Sequence, residues 1–137
     1  MRKKITSQKG APPKGIYSPA ILAKGPMLFV SGQGPVNPEN GEFIFNDFES
    51  QAKLTFDNVT TMLEAGGTSW KNVVKVSVFL ADLNDFQSMN EVYKDYVMDP
   101  YPARTTVQAG LPPKMLIEVD CIAIAPGELE KAEGGVE

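Results

Sequence analysis

Residues 101–127 read YPARTTVQAGLPPKMLIEVDCIAIAPG and contain two strand-like segments separated by a Leu-Pro-Pro break. The first, 104–107, is β-branched after its leading Arg104, and Pro102 fixes an extended backbone in front of it. The second, 115–125, is apolar except for two acidic residues and a cysteine. Segments of this composition predict neighbouring strands in a core, so an arginine and a glutamate within them need an explanation.

Arg104 and Glu118 each allow two interpretations. As an edge-strand side chain Arg104 would reach solvent, as most strand arginines do. Alternatively, its planar guanidinium would bind a carboxylate or phosphate through two parallel hydrogen bonds. Glu118 is either a functional carboxylate or an outward-facing member of an alternating strand, with Asp120 two residues later on the same side. The local pattern does not decide between these interpretations.

The composition is that of a single globular domain. The chain has 137 residues, of which 42% are hydrophobic, enough to form a core. No apolar run approaches the roughly 20 residues that span a bilayer, and the basic amino terminus lacks the apolar segment of a signal peptide. The single cysteine cannot form an internal disulfide. These features predict a cytoplasmic protein with no association with a membrane.

Charge and histidine content exclude several functional classes. The net charge is −4, whereas proteins that bind nucleic acid usually carry a basic face, so nucleic acid is not an expected partner. The absence of histidine rules out a Ser-His-Asp triad and a Cys-His dyad, and with one cysteine it also rules out the usual zinc sites. Any catalysis therefore rests on arginine, carboxylates, hydroxyl groups, lysine, backbone groups and water, and we expect no metal.

Hydrophobic periodicity and chain-breaking residues divide the sequence into eight elements. The predicted order is β-β-β-α-β-α-β-β, with strands at 2–6 and in two pieces over 21–32, a helix from Asp47 to about Ala65, a strand at 72–81, a helix at 82–97, and the two strands described above. This order predicts one α+β domain, 1–126, with both helices on one face of the sheet. Residues 127–137 form an acidic tail without an apolar stripe.

The sheet face away from the helices poses a burial problem. We expect Val107, Ile117 and Val119 to be among the apolar residues on that face. In a chain this small, an uncovered apolar sheet face predicts self-association.

Three further positions have features of interest. The segment Ser-Gly-Gln-Gly at 31–34 ends an apolar strand, and its glycines either allow close approach of a ligand or form a plain turn. The spacings of known phosphate-binding loops are missing there. Tyr17 lies in a proline-rich loop, as a packing anchor or as the wall of a site. Cys121 lies mid-strand and is predicted to be a small buried hydrophobe.

Six segments over about residues 3–126 occur in a characteristic order: PKGIYSPA, VSGQGPVNPENGEF, QAKLTFDNVTTMLEAGG, VVKVSVFLADLNDFQSMNEVY, YPARTTVQ and LPPKMLIEVDCIAIA. Together they resemble the reactive intermediate deaminase family of RidA and YjgF type, also described as endoribonuclease L-PSP. No single segment is specific, but the ordered set is. The resemblance implies a chorismate-mutase-like α+β fold with a six-stranded mixed sheet, assembled as a homotrimer.

The resemblance also implies an activity. It is the hydrolysis of reactive 2-imino acids, of the 2-iminobutanoate and 2-iminopropanoate type, to 2-keto acids and ammonia, without a cofactor, in clefts between neighbouring subunits. In the family's pattern Arg104 holds the substrate carboxylate, Glu118 positions the attacking water, and Tyr17 matches the tyrosine of the amino-terminal loop. An imine carbon is already electrophilic, so this chemistry needs no covalent nucleophile.

The other substrate-binding positions that the resemblance implies are Ser31, Gly32, Asn90 and Thr106. Asn90, on the second helix, supports the site at the subunit boundary. Thr106 stands where many relatives have cysteine, at a position that the resemblance suggests acts through its backbone carbonyl. Ile16 and Pro19 depart from the family's usual loop sequence GPYSQ.

Two alternative functions remain open at this point. One is an endoribonuclease, an activity long attached to the family's name, which the acidic charge and the lack of histidine disfavour. The other is a trimeric protein that binds small carboxylates in the same cleft as a non-enzymatic regulator. Turnover of imines, as opposed to binding alone, distinguishes the deaminase from the regulator.

Overall fold

The computed structural model describes residues 1–126 and Gly134. Its strands and helices are β1 (Arg2–Ile5), β2 (Ala20–Ala23), β3 (Met27–Gln33), α1 (Phe48–Ala65), β4 (Val73–Leu80), α2 (Phe86–Tyr93), β5 (Ala103–Gln108) and β6 (Ile117–Ile124). The predicted order of strands and helices is confirmed. The predicted tail, 127–137, lies outside the described residues apart from Gly134, so its division from the domain stays a prediction.

The six strands form two sheets, so the expectation of one six-stranded sheet is wrong. β1 and β2 pair as a separate ribbon, and the other strands have the order β3-β6-β4-β5. The larger sheet is mixed, because β4 and β5 are parallel while the other neighbours are antiparallel. The turn at 24–26 separates β2 from β3: Gly25 has φ +131° there, and Pro26 lacks an N–H for a continuous ladder.

Helix α1 follows the predicted pattern and packs across β3 and β6. Its buried face includes the four apolar residues at spacings of four, three and four, namely Ala52, Phe56, Val59 and Leu63. The helix ends at the Gly66-Gly67 pair, where Gly67 has φ +78°, a conformation that favours glycine at a helix end.

Helix α2 packs beside α1 and is shorter than predicted. It ends at Tyr93 instead of near residue 97, because the N–H groups of Asp95 and Tyr96 bond to carbonyls three residues back and close tight turns. Within the described part of the chain, no helix combines the length and apolarity needed to cross a membrane.

The two central strands of the larger sheet direct one set of alternating side chains toward the helices. The buried members of this set include Val76, Val78 and Leu80 of β4 and Ile117, Val119 and Cys121 of β6. The expectation that Ile117 and Val119 lie on the uncovered face is therefore wrong, and Glu118 lies on that face instead. The burial predicted for Cys121 is confirmed, at 2% exposure.

The face of the sheet away from the helices still carries an apolar surface, but with other residues. Phe29 is 68% exposed and pairs with Ile122, and Val107 is 41% exposed and pairs with Phe79. We call this surface the open face. Exposed aromatic and aliphatic side chains in adjacent rows are the composition expected of a surface that packs against another molecule.

Candidate active site

Arg104 does not extend into solvent along the sheet edge. It pairs with Val76 of β4, so its side chain shares the helix side of the sheet, and it is half-buried. Its Nη1 donates a 2.7 Å hydrogen bond to Oδ1 of Asn90 on α2. Its Cζ lies 5.0 Å from the ring centroid of Tyr93 and 5.7 Å from that of Phe86. Aromatic rings at these distances stabilise the cation and restrict its position.

The charge of Arg104 lacks a carboxylate partner in the part of the chain that the structure describes. None of the ion pairs within the described residues includes it. Burial lowers the pKa of Arg104, with the neighbouring Tyr93 and Tyr17 acting in the opposite direction, and the guanidinium stays protonated at neutral pH. A half-buried cation bonded to a neutral amide retains donors for an anionic ligand.

Tyr17 lies beside the Arg104 guanidinium. A Cβ atom at Gly15 would be 3.5 Å from the Tyr17 ring and 4.0 Å from Nη2 of Arg104, so ring and guanidinium border the same glycine. The Tyr17 hydroxyl accepts a 3.0 Å hydrogen bond from the backbone N–H of Lys14, which does not use the hydroxyl proton. Ile16, one of the departures from the loop motif, packs against the core and so anchors this loop.

Thr106 lies on the same side of the sheet as Arg104. Thr106 is two residues after Arg104 in β5 and pairs with Val78 of β4. Its Oγ1 is buried without a hydrogen-bond partner within the described residues. A buried hydroxyl in this state is destabilising unless a ligand or solvent supplies a partner. Threonine in place of cysteine therefore introduces a polar atom close to the arginine.

Glu118, Gly32 and Ser31 form a second group on the open face. Glu118 pairs with Phe79, whose side chain points away from the helices. A Cβ atom at Gly32 would lie 2.6 Å from Oε2 of Glu118, closer than side chains tolerate. Glycine at this position therefore lets the carboxylate lie against the backbone of β3, next to the exposed Ser31.

The predicted site residues thus fall into two groups. The arginine group comprises Arg104, Asn90, Tyr17 and Thr106, and the glutamate group comprises Glu118, Gly32 and Ser31. Arg104 and Glu118 project from opposite sides of the sheet, since Val76 and Phe79, their partners on β4, do so. One chain by itself does not join the guanidinium and the carboxylate in a single pocket.

Phe86 and Tyr93 are neighbours of Arg104 that sequence reasoning missed as site residues. It took both as the apolar face of the second helix, and Tyr93 is indeed fully buried. The available signal was their spacing: Phe86, Asn90 and Tyr93 recur at four and three residues and so line one helix face. Two aromatic residues on the same helix face as Asn90 would have indicated that their rings also contact the guanidinium of Arg104.

A groove between the two helices lies away from both groups. It has a volume of about 560 Å³, lies between the start of α1 and α2, and is lined by none of the predicted site residues. Its two lysines are already paired with nearby glutamates, Lys53 with Glu49 at 2.9 Å and Lys94 with Glu91 at 2.6 Å. Within the described residues, no cluster of three or more histidine, cysteine, aspartate or glutamate side chains is arranged to hold a metal ion.

Comparison with known proteins covers nearly the whole chain. Residues 8–125 match the family model described as Endoribonuclease L-PSP. A RutC family protein of Pyrococcus abyssi is 45% identical over 120 residues, which are 87% of this chain and 94% of that protein. The human 2-iminobutanoate/2-iminopropanoate deaminase is 37% identical over 125 residues, 90% of this chain and 90% of that protein.

A solved structure matches over the same part of the chain. The crystal structure of RidA from an Antarctic Psychrobacter is similar with a TM-score of 0.68 and 36% identity, covering 89% of this chain and 98% of that one. The sequence motifs, the family model and the fold therefore agree. The chain belongs to the endoribonuclease L-PSP family, which includes the RidA-type imine deaminases.

Proposed function

We propose that this protein hydrolyses 2-imino acids, of the 2-iminobutanoate and 2-iminopropanoate type, to 2-keto acids and ammonia without a cofactor. The observation that carries the proposal is the state of Arg104, a half-buried cation oriented by Asn90 and two aromatic rings and lacking a carboxylate partner in the described residues. A substrate carboxylate supplies the missing counter-charge. The named activity of the human relative supports the same substrate class.

The reaction balances with water as the only co-substrate. The water oxygen adds to the C=N carbon of the protonated imine, the π electrons move to nitrogen, and Glu118 takes one proton from the water, which gives a neutral carbinolamine. Glu118 returns this proton to the amino nitrogen, the C–N bond breaks as ammonia leaves, and the C=O bond forms as the hydroxyl proton passes to Glu118 and then to solvent. Arg104 holds the carboxylate throughout, and Tyr17 confines the substrate beside it.

The remaining residues bind or orient. Asn90 fixes the guanidinium through its 2.7 Å bond. Gly32 borders the carboxylate of Glu118, and in this proposal Gly32 and the preceding Ser31 contact the reacting end of the substrate. Thr106 contributes its backbone carbonyl, and its hydroxyl, which has no partner among the described residues, lies nearby.

The active form in this proposal is a homotrimer in which the arginine group of one chain faces the glutamate group of the next. Two observations support it: the groups lie on opposite sides of one sheet, and the open face carries exposed Phe29 and Val107. Light scattering should give about three times 14.9 kDa. A stable monomer with full activity would contradict a shared site.

The test of the activity is a coupled assay. A threonine dehydratase releases 2-iminobutanoate, and formation of 2-ketobutanoate is followed with and without this protein. The proposal is supported if the wild-type protein accelerates formation of 2-ketobutanoate and the variant Glu118→Gln, whose side chain has nearly the same volume, does not. A rate equal to the spontaneous hydrolysis rate, with a folded and assembled protein, refutes it.

The family model's description favours a second candidate, an endoribonuclease. A net charge of −4 weighs against a surface that neutralises phosphates. RNA cleavage that co-purifies with the protein and disappears in Arg104→Ala would favour this candidate. Binding of 2-ketobutanoate without any imine turnover would instead favour the non-enzymatic regulator.

A further inference from the structure

Three consecutive carbonyl groups, at 100–102, lie two to four residues before Arg104 and accept hydrogen bonds from distant parts of the chain. Nη2 of Arg2 donates to the first at 2.6 Å. The hydroxyl of Ser18 donates to the second at 2.5 Å, and the backbone N–H of Ser18 donates to the third at 3.0 Å. The backbone that leads into the arginine is therefore held at three successive peptide groups.

Ser18 provides the buried part of this arrangement. It is 1% exposed and follows Tyr17 directly, whereas its hydroxyl partner, the carbonyl of Tyr101, is 83 residues away in the chain. The two bonds of Ser18 thus join the loop that carries Tyr17 to the segment that leads directly into the strand of Arg104. A hydrogen bond removed from water is stronger and fixes geometry more firmly than one at the surface.

We propose that Ser18 is a positioning residue for the site: its hydroxyl sets the separation between Tyr17 and the Arg104 guanidinium. Tyr17 is next to Ser18 in the chain, and Arg104 is three residues after the acceptor, Tyr101. A shift of the loop relative to the strand therefore changes the distance between Tyr17 and Arg104 directly. The inference rests on the proposed function, because it assumes that these two side chains hold the carboxylate end of the ligand.

Ser18→Ala is the informative variant. It removes the hydroxyl bond but keeps the backbone bond to the carbonyl of Pro102, so the loop stays attached. Thr68→Ala is the matched control: Thr68 is 9% exposed, and its hydroxyl donates at 2.6 Å to the carbonyl of Ile124, at the far end of β6 from Glu118, and accepts a 3.1 Å bond from Nδ2 of Asn72. Both variants lose a hydroxyl bond to a backbone carbonyl, and only the Ser18 bond is near the arginine.

The measurement is steady-state hydrolysis of 2-iminobutanoate, together with calorimetric binding of 2-ketobutanoate. For Ser18→Ala we expect KM and the keto-acid Kd to rise about tenfold, the loss typical of one buried hydrogen bond, with kcat within about twofold of wild type. Thr68→Ala should lose comparable thermal stability and keep both constants. An unchanged KM and Kd in Ser18→Ala, or the same rise in Thr68→Ala, overturns the inference.

Hydrogen exchange separates this inference from the proposed function. If the wild-type protein neither hydrolyses imines nor binds keto acid, the proposed function fails. Exchange of the amides at 15–18 still decides whether the hydroxyl couples the loop to the segment in front of Arg104. Faster exchange there in Ser18→Ala than in Thr68→Ala supports the coupling, and equal exchange in the two variants refutes it.

Discussion

Replacing Arg104 by lysine tests the carboxylate clamp while keeping the positive charge. Arg104 uses Nη1 for its 2.7 Å bond to Asn90, which leaves Nε and Nη2, two donors in one plane, for a ligand carboxylate. Lysine offers a single ammonium on a flexible stem and cannot bond to the amide and to both carboxylate oxygens in that plane. The variant therefore removes the geometry of the contact and not its charge.

The size of the effect follows from the contacts of Arg104. Loss of one charge-assisted hydrogen bond costs about 1.5–3 kcal/mol. Loss of the guanidinium from the rings of Tyr93 and Phe86, at 5.0 and 5.7 Å, adds about 0.5–1 kcal/mol. Together these reduce transition-state binding by about 2–4 kcal/mol, which corresponds to about a thirtyfold to a thousandfold loss in kcat/KM.

The assay is the dehydratase-coupled hydrolysis of 2-iminobutanoate with wild type and Arg104→Lys. A binding control compares 2-ketobutanoate with its neutral amide, 2-ketobutanamide. Wild type should prefer the carboxylate, and the variant should lose most of this preference while its affinity for the amide changes little. Circular dichroism and light scattering should show that the variant folds and assembles, because a half-buried arginine with no ion pair among the described residues contributes little to the core.

Two outcomes would refute this reasoning. Near-wild-type hydrolysis by Arg104→Lys would show that the planar fork is not needed and that Arg104 is not the carboxylate clamp. Failure of the variant to fold or assemble would show that Arg104 is structural, as an ordinary strand arginine would be.

Three further predictions concern the glutamate group, the cysteine and metals. Gly32→Ala places a Cβ atom 2.6 Å from Oε2 of Glu118, so kcat should fall by at least about tenfold, measured in the same assay, while the thermal unfolding midpoint changes by only a few degrees. Burial raises the pKa of Cys121 to about 12, so the thiol stays protonated at pH 8 and should react with iodoacetamide only after denaturation. Rapid labelling of Cys121 in the native protein would contradict its burial. Activity should survive exhaustive dialysis against EDTA, and a loss that zinc restores would contradict metal-free hydrolysis.

The secondary structure was readable from the sequence because it depends on local periodicity. Apolar spacings near 3.6 residues define the buried face of α1, and period-two alternation defines β4 and β6. The Gly66-Gly67 pair marked the end of α1 for an equally local reason. The family was recognisable on similar grounds, because its motifs are short strings in a fixed order.

Assignment of residues to the faces of the sheet needed the strand register. The alternation in β6 separates two sets of side chains, but both sets are partly apolar, so the pattern does not say which set faces the helices. Pairing that is shifted by one residue exchanges the faces completely. For this reason Ile117 and Val119 were assigned to the wrong side, and Glu118 is on the open face.

The composition of the candidate site depends on contacts between distant segments. Sequence motifs identified Arg104 and Glu118, but only the three-dimensional pairing places them on opposite sides of one sheet and Arg104 against Tyr93. The bond between Ser18 and the carbonyl of Tyr101 joins residues 83 apart and leaves no periodic trace. Such partners are selected by the packing of the whole chain, because a buried polar group must find an acceptor wherever the fold brings one within reach.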